Sequence, residues 1–487
     1  MASLTLPIVK QRHALLALTG ALSAVAATAA PVSAAPVSAA PVSTATGHRP
    51  ATIVVKRGGP ARLVSFTAPR AGGAFIRFTA AAPGVFWARA GAESAVLSLS
   101  VDGHYVTDLV VPSADPTPQS LALGQVRAGQ HRLTMRFAAD RSADPASRVT
   151  LTGTAITTVD DVVSRHAPIV IGRTLPALGD ADQNARTDTP LIAWHEEQAA
   201  STSGHRILEY SVVWSNEDGG TDTPALMSRW GRTTDIEWIY RVEVDAAGDR
   251  VAGTAVYQAA NHQTLSFTGT YEGDHPILQT CTSNNNMCDA VTPDATMRFF
   301  LDTTQTRPVD RAREVLMDRN PWTYPITAAE MIREGKIENP SDPDTIAVGD
   351  ERTYLFLEIK KQTGAATGAG AAPGVSVGVR LRSDPAKLYR SDHSVPTSSI
   401  ARDDPAATTI ELPEGTTGAD IASIEAIRQP MGPGDNGAPA TVTSINRGFF
   451  LDEDYLPEAS FVTWTGSVTL TAARPTAVLW QRPPPAR

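Results

Sequence analysis

The feature that most restricts this chain is a period-two alternation of apolar and polar residues, broken by Gly, Pro and Asp about every ten positions. It recurs in Thr52-Ile53-Val54-Val55, Ala74-Phe75-Ile76-Arg77-Phe78, Val96-Leu97-Ser98-Leu99-Ser100-Val101 and His131-Arg132-Leu133-Thr134-Met135-Arg136-Phe137. Successive side chains on a strand point to opposite faces, so each segment buries one face against a partner sheet. A β-sandwich or jelly roll over 51–158 follows, with Asp102-Gly103 as a hairpin tip.

The alternation continues, with more aromatics, through a central β domain expected over 160–308. Its strands are Ile207–Trp214, Asp235–Val244, Val251–Gln258 and Thr264–Tyr271. Helix is expected only afterwards, in a connector over 309–345. There Asp310–Met317 is charged and short, and Thr327–Gly335 has Thr327 as N-cap, Glu330 in the capping-box position and Gly335 as a stop. Strand patterns return in a C-terminal β region over 346–487. The expected fold class is therefore mainly β, a multi-domain β-sandwich/jelly-roll architecture with a few short helices around 310–335.

The N-terminus reads as an address. Lys10, Arg12 and His13 precede an apolar run from Ala14 to Ala27, and Ala27-Thr28-Ala29 supplies small residues for cleavage. The run is shorter than the roughly twenty residues that span a bilayer, so 1–29 is expected to be a signal peptide and no transmembrane anchor remains. Ala30-Pro31-Val32-Ser33-Ala34 and its repeats then form an extended linker over 30–50. The expected location is secreted, extracellular or wall-associated. A formal charge of −9 without basic clusters excludes nucleic acid as a partner. In an oxidising compartment the two cysteines, Cys281 and Cys288, are expected to close a short disulfide loop.

Polar information is densest between Trp214 and Trp238. Asn216, Glu217, Asp218, Arg229 and Arg232 are candidate binding residues there. On a strand Asp235 and Glu237 share a face, about 6.5 Å apart, with Ile236, Trp238, Tyr240 and Val242 on the other. Paired carboxylates need a cation, a shared proton or an Arg, and oxygen ligands favour Ca²⁺ or Mg²⁺. The opposing reading is a solvated face continued by Arg241 and Glu243. His262 and His275 are able to join the pair, so Asp235, Glu237 and His262 are also candidate acid–base residues. A second candidate cation loop runs through Asp180, Asp182, Asn184 and Asp188, with Ala185 at the turn-glycine position and Leu191 where Glu is expected.

Two resemblances accompany these readings. Ser98 to Gly103 and Val126 to Leu133 resemble jelly-roll carbohydrate-binding modules. His166-Ala167-Pro168-Ile169, Leu208 to Asn216, Arg232 to Trp238, Asn261-His262 and Asp274-His275-Pro276 resemble the Vps62-related family and, more remotely, necrosis-inducing secreted proteins. In the latter the matched Asp and Glu belong to a metal site, which implies Asp235 and Glu237 here. Thr233 and Thr234 stand where that signature has His, and the aromatic follows Glu237 rather than preceding it. The expected function is binding to a glycan, glycoconjugate or cell-envelope polymer, with optional help from a divalent metal. The competing expectations are an extracellular hydrolase using Asp235, Glu237 and His262, and a structural wall-associated protein.

Overall fold

A computed structural model describes residues 52–179, 181–217 and 222–483. The expected signal peptide and linker, together with Asp180 and Asp218, lie outside the described residues. The rest is mainly β, with several antiparallel sheets and few short helices. No helix among the described residues is long and apolar enough to cross a membrane.

Eight strands open the fold: β1 (Ile53–Lys56), β2 (Arg62–Ala68), β3 (Gly72–Ala81), β4 (Ala95–Val101), β5 (His104–Val111), β6 (Thr117–Val126), β7 (Gly129–Phe137) and β8 (Arg148–Val159). They make two four-stranded antiparallel sheets, ordered β1-β8-β3-β6 and β2-β7-β4-β5. Asp102 and Gly103 turn the β4–β5 hairpin at φ +51° and +88°, pairing Val101 with His104. Both positive φ values suit a tight hairpin whose twist matches its strands.

The central region begins with α1 (Val162–His166), β9 (Ile169–Ile171), β10 (Pro190–Ala199) and β11 (Arg206–Trp214). Next come α2 (Thr223–Trp230), β12 (Ile236–Val244), β13 (Val256–Ala259), β14 (Gln263–Ser266), β15 (Tyr271–Glu272), β16 (His275–Thr280), β17 (Met287–Cys288) and β18 (Arg298–Phe299). Strands β10 to β14 form an antiparallel meander. In the sheet β15-β16-β9-β18 the β9–β16 pair is parallel. Buried side chains of this region and of the first sandwich join in one core, laced by Phe300, whose backbone bonds Ala122 and the Thr107 hydroxyl.

Two helices follow, α3 (Val315–Arg319) and α4 (Thr323–Arg333), then β19 (Tyr354–Thr363), β20 (Pro373–Leu381), β21 (Tyr389–Arg390), β22 (Pro405–Glu411), β23 (Ile421–Pro430), β24 (Ala440–Phe449), β25 (Trp464–Leu470) and β26 (Thr476–Gln481). These strands pair as β22-β19-β24-β25 and β21-β20-β23-β26 around a separate apolar core. A third cluster, including Trp194, Val213, Met227, Leu316, Tyr324, Phe356 and Phe449, joins α2, α3 and α4 to strands of both flanking regions.

The helix expectations need correction. α4 begins before Thr327, whose hydroxyl bonds the Tyr324 carbonyl inside the helix. Glu330 is no capping-box residue: its buried carboxylate takes Trp87 Nε1 at 2.9 Å and Thr187 Oγ1 at 2.6 Å. Gly335 ends the segment at φ +67° as expected. Helices α1 and α2 fall inside the region read as strands alone.

Candidate functional site

The segment between β11 and β12 is an opened hairpin. Trp214 N donates to Asp235 O at 2.9 Å and Asp235 N to Asn216 O at 3.3 Å, so the strands still pair where the connection departs. α2 is seated on that connection by Leu226 and Met227, both buried, with Pro224 in its first turn. Gly231 ends it at φ +64°, and a Cβ there would lie 2.8 Å from Thr408 N in β22. Only glycine therefore allows both the left-handed stop and the close approach. Thr408 Oγ1 and Thr409 Oγ1 in turn donate to the Ser228 and Met227 carbonyls at 2.6 and 2.9 Å.

Asp235 and Glu237 do share a face, but their surroundings differ from the expected ones. Register runs Tyr210↔Tyr240 and Ser211↔Trp238, leaving Ile239 as an extra residue. Such a bulge reverses the alternation beyond it. Tyr240 and Val242 therefore join the side of the two acids, over the main core. Arg241 and Glu243 pass to the other side, where Arg241 pairs with Glu209 and Glu243 accepts from His205 Nδ1 at 2.7 Å. The solvated face read through Arg241 and Glu243 is thereby overturned.

Asp235 is 1% exposed. Burial, then the nearby charges of Glu237 and Glu217, push its carboxyl well above the usual range; Arg232 and a hydrogen bond from Asn285 oppose this. Its Oδ2 has no hydrogen-bond partner among the described residues. Glu237 stands nearer the surface. Its Oε2 accepts from Gln258 Nε2 at 2.5 Å, and its Oε1 lies 3.5 Å from His262 Nδ1. The His262 side chain is 57% exposed, at a turn where Asn261 and His262 adopt φ +58° and +56°.

A third element closes the site: the Cys281–Cys288 disulfide loop, with Cα atoms 5.8 Å apart. Asn284 Nδ2 reaches 3.4 Å from His262 Nε2. Asn285, at φ +47°, directs Nδ2 to Asp188 Oδ1 at 3.2 Å and Asn216 O at 3.4 Å. Its buried Oδ1 has no partner among the described residues. Gln258, Asn284 and Asn285 were not singled out from sequence. The available signal was the Asn284-Asn285-Asn286 run inside the cysteine pair, since such residues tolerate positive φ while presenting planar amides.

Other candidates are placed elsewhere. Glu217 is buried beside Asp235, and Asn216 Nδ2 donates to Glu334 Oε1 at 2.8 Å. Arg232 is buried against Glu314, its Nε 3.1 Å from Oε1, so it serves an internal ion pair. Arg229 lies at the end of α2, away from the acids' hydrogen bonds. His275 is a core residue: Nδ1 bonds Ala167 O at 2.9 Å, its ring packs edge-on against Phe300 at 4.7 Å, and burial lowers its pKa. In the second loop, Arg173 lies where a cation was expected. Its guanidinium meets Asp188 Oδ2 at 2.5 Å, both side chains fully buried, and its N–H takes Asn184 Oδ1 at 2.6 Å. Asp182 accepts from Thr296 Oγ1.

Asp235 Oδ2 and Asn285 Oδ1 are buried hard oxygen acceptors without partners among the described residues, which suits Ca²⁺ or Mg²⁺ by ligand type. Among the described residues no three His, Cys, Asp or Glu side chains converge closely enough to hold an ion. An ion here would therefore depend on the Asn285 amide oxygen.

No family model matches the chain, and no curated protein does. Among solved structures it is similar to a carbohydrate-binding module of Cellvibrio mixtus lichenase 5A in complex with cellotriose, at 14% identity and TM-score 0.15. That match covers 20% of this chain and 65% of the module, less than two thirds of its length. A family 35 carbohydrate-binding module from an environmental isolate is 15% identical over 21% of this chain and 72% of its own, at TM-score 0.15. A ruminal GH26 endo-β-1,4-mannanase is 10% identical over 31% of this chain and 28% of its own, at TM-score 0.17.

Proposed function

We propose that this is an exported glycan-binding protein whose central site hydrogen-bonds sugar hydroxyls through Glu237, Gln258, His262 and Asn284. One observation carries the reading: these four side chains, from β12, β13, the β13–β14 turn and the disulfide loop, form one set of contacts that meet at the exposed His262. Carboxylate, amide and imidazole groups offer both donors and acceptors in fixed planes, which vicinal hydroxyls match. The first sandwich, read as a jelly-roll module, would add a second contact with the same polymer. The test is calorimetric titration with a panel of oligosaccharides. Glu237→Gln and His262→Ala should each weaken binding about tenfold, the effect of losing roughly 1.4 kcal/mol. Binding that ignores both substitutions would remove this site.

A supporting role for a divalent cation is favoured by the two partnerless buried oxygens, Asp235 Oδ2 and Asn285 Oδ1. Adding Ca²⁺ or Mg²⁺ should then raise the melting temperature in proportion to the logarithm of concentration, and EDTA should reverse it. A melt unmoved by either ion would dismiss the cation and leave the glycan reading standing.

A further inference from the structure

At the C-terminal end of α2 lies an excess of positive charge that the glycan site does not use. Four arginines from three stretches of chain act on this end of the helix: Arg402 before β22 and Arg232 after α2 lie on Trp230, Arg229 in the last turn of α2 gives its carbonyl to Arg402, and Arg313 before α3 acts on Arg402 by its charge. Arg402 lies over the Trp230 ring at 3.8 Å and Arg232 at 5.5 Å. Glu314 acts on Arg402 with the opposite charge, and Arg232 engages it at 3.1 Å.

The remaining partners are weak. Arg402 donates to the Arg229 carbonyl at 2.6 Å, and Arg313 to the Ile236 carbonyl at 3.3 Å. The Arg229 side chain makes no ion pair or hydrogen bond among the described residues. A helix C-terminus and an indole face each favour a cation, and together they explain one arginine, Arg402. They do not explain why Arg229 and Arg313 stand with it, since like charges at a partly buried joint repel. Burial, with Arg232, Arg313 and Arg229 acting against Glu314, lowers Arg402 to about 10, as expected where positive charge is in excess.

We propose that Arg229, Arg313 and Arg402 form an oxyanion site that takes the carboxylate, sulfate or phosphate of an acidic glycan. Guanidinium groups meet such oxygens through paired N–H bonds in one plane. Trp230, covered by Arg402, does not stack a sugar but fixes the plane of that fork. The choice of a glycan as carrier rests on the function proposed above, and Arg232 connects the two sites, since its charge also acts on Asp235.

The experiment compares wild type with Arg229→Gln and Arg313→Gln, using polygalacturonate, neutral amylose and inorganic sulfate against chloride at equal ionic strength. Neither substitution removes an ion pair, and circular dichroism with chloride melts verifies folding. Polygalacturonate should bind in preference to amylose, weaken about tenfold or more in each variant, and weaken further with added salt. Equal binding of both polymers, unchanged in the variants, would overturn the anion site and leave the glycan function. Sulfate stabilisation lost in the variants, with no polymer bound, would keep the anion site and overturn the glycan as its carrier. No response to any probe would overturn both. The variants also correct for the general stabilisation sulfate gives any folded protein, which they retain.

Discussion

Asp188 and Asp235 are both buried, and one amide, that of Asn285, bonds Asp188 and acts on Asp235. Their charges are handled in opposite ways. Asp188 is matched by the guanidinium of Arg173, whose Nε donates to Gln183 Oε1 at 3.1 Å while the Arg173 backbone N–H donates to Asn184 Oδ1 at 2.6 Å. Asp235 faces the charges of Glu217 and Glu237 and makes no ion pair among the described residues, so burial and those charges favour its protonated form. A buried ion pair is a permanent fixture because removing either partner strands the other. A protonated acid beside a surface-reaching carboxylate is exchangeable: a cation, a ligand hydroxyl or a change of pH alters its state. The difference separates the scaffold of this site from the part that responds.

The widest separation should come from Asp188→Ala, which removes the carboxylate paired with the buried Arg173 guanidinium. A loss of about 3–5 kcal/mol is expected in urea unfolding at neutral pH. Asp235→Asn, which swaps a neutral acid for a neutral amide, should cost less than about 1 kcal/mol under the same conditions. Equal costs for the two would break the contrast. Intermediate in size is the double substitution Cys281→Ser with Cys288→Ser. Opening so short a loop should cost about 2 kcal/mol on the chain-entropy account. Because Asn284 and Asn285 sit inside it, glycan binding should fall by more than the stability loss explains. Binding that survives at full strength would show that the loop's amides belong to the scaffold alone.

What could be read beforehand follows from the range of each interaction. The β4–β5 hairpin was legible because Asp102-Gly103 determines its turn locally. The disulfide was legible from two cysteines in a chain expected to be exported. The bulge at Ile239 was not, because one inserted residue leaves every neighbouring apolar position apolar while reversing which face it serves. α2 was hidden by its length: eight residues give barely two turns of periodicity, and its evidence is Pro224 and Gly231 at the ends. The pairing of Asp188 with Arg173 turned an apparent ligand loop into a closed network. Its decisive residue lies before the loop that was inspected. Site assignment failed most where a partner came from far along the chain, as with Asn285 on Asp188 and Thr233 on Glu351.

The smallest effect concerns pH, and it extends the contrast to a third acid. Glu351 is buried, accepts from Thr233 Oγ1 at 3.0 Å and makes no ion pair among the described residues; burial pushes it up to about 8. Below about 4.5 both folded and unfolded chains hold this proton and the group does not alter stability with pH. Above that the unfolded chain releases it while the folded chain keeps it, so stability falls as pH rises, until the folded group also titrates near 8. The slope from one such proton is at most about 1.4 kcal/mol per pH unit. Asp235 acts in the same direction, from the ordinary carboxylate range upward. Urea unfolding between pH 5 and 9 should therefore be flatter in Glu351→Gln and in Asp235→Asn than in wild type, each by up to about that slope. Asp188→Ala should instead lower the whole curve, because it takes the carboxylate away from the buried Arg173 guanidinium. A parallel, unflattened curve for Asp235→Asn would mean that the folded protein holds this acid charged, and the division between matched and protonated acids would fail at its central residue.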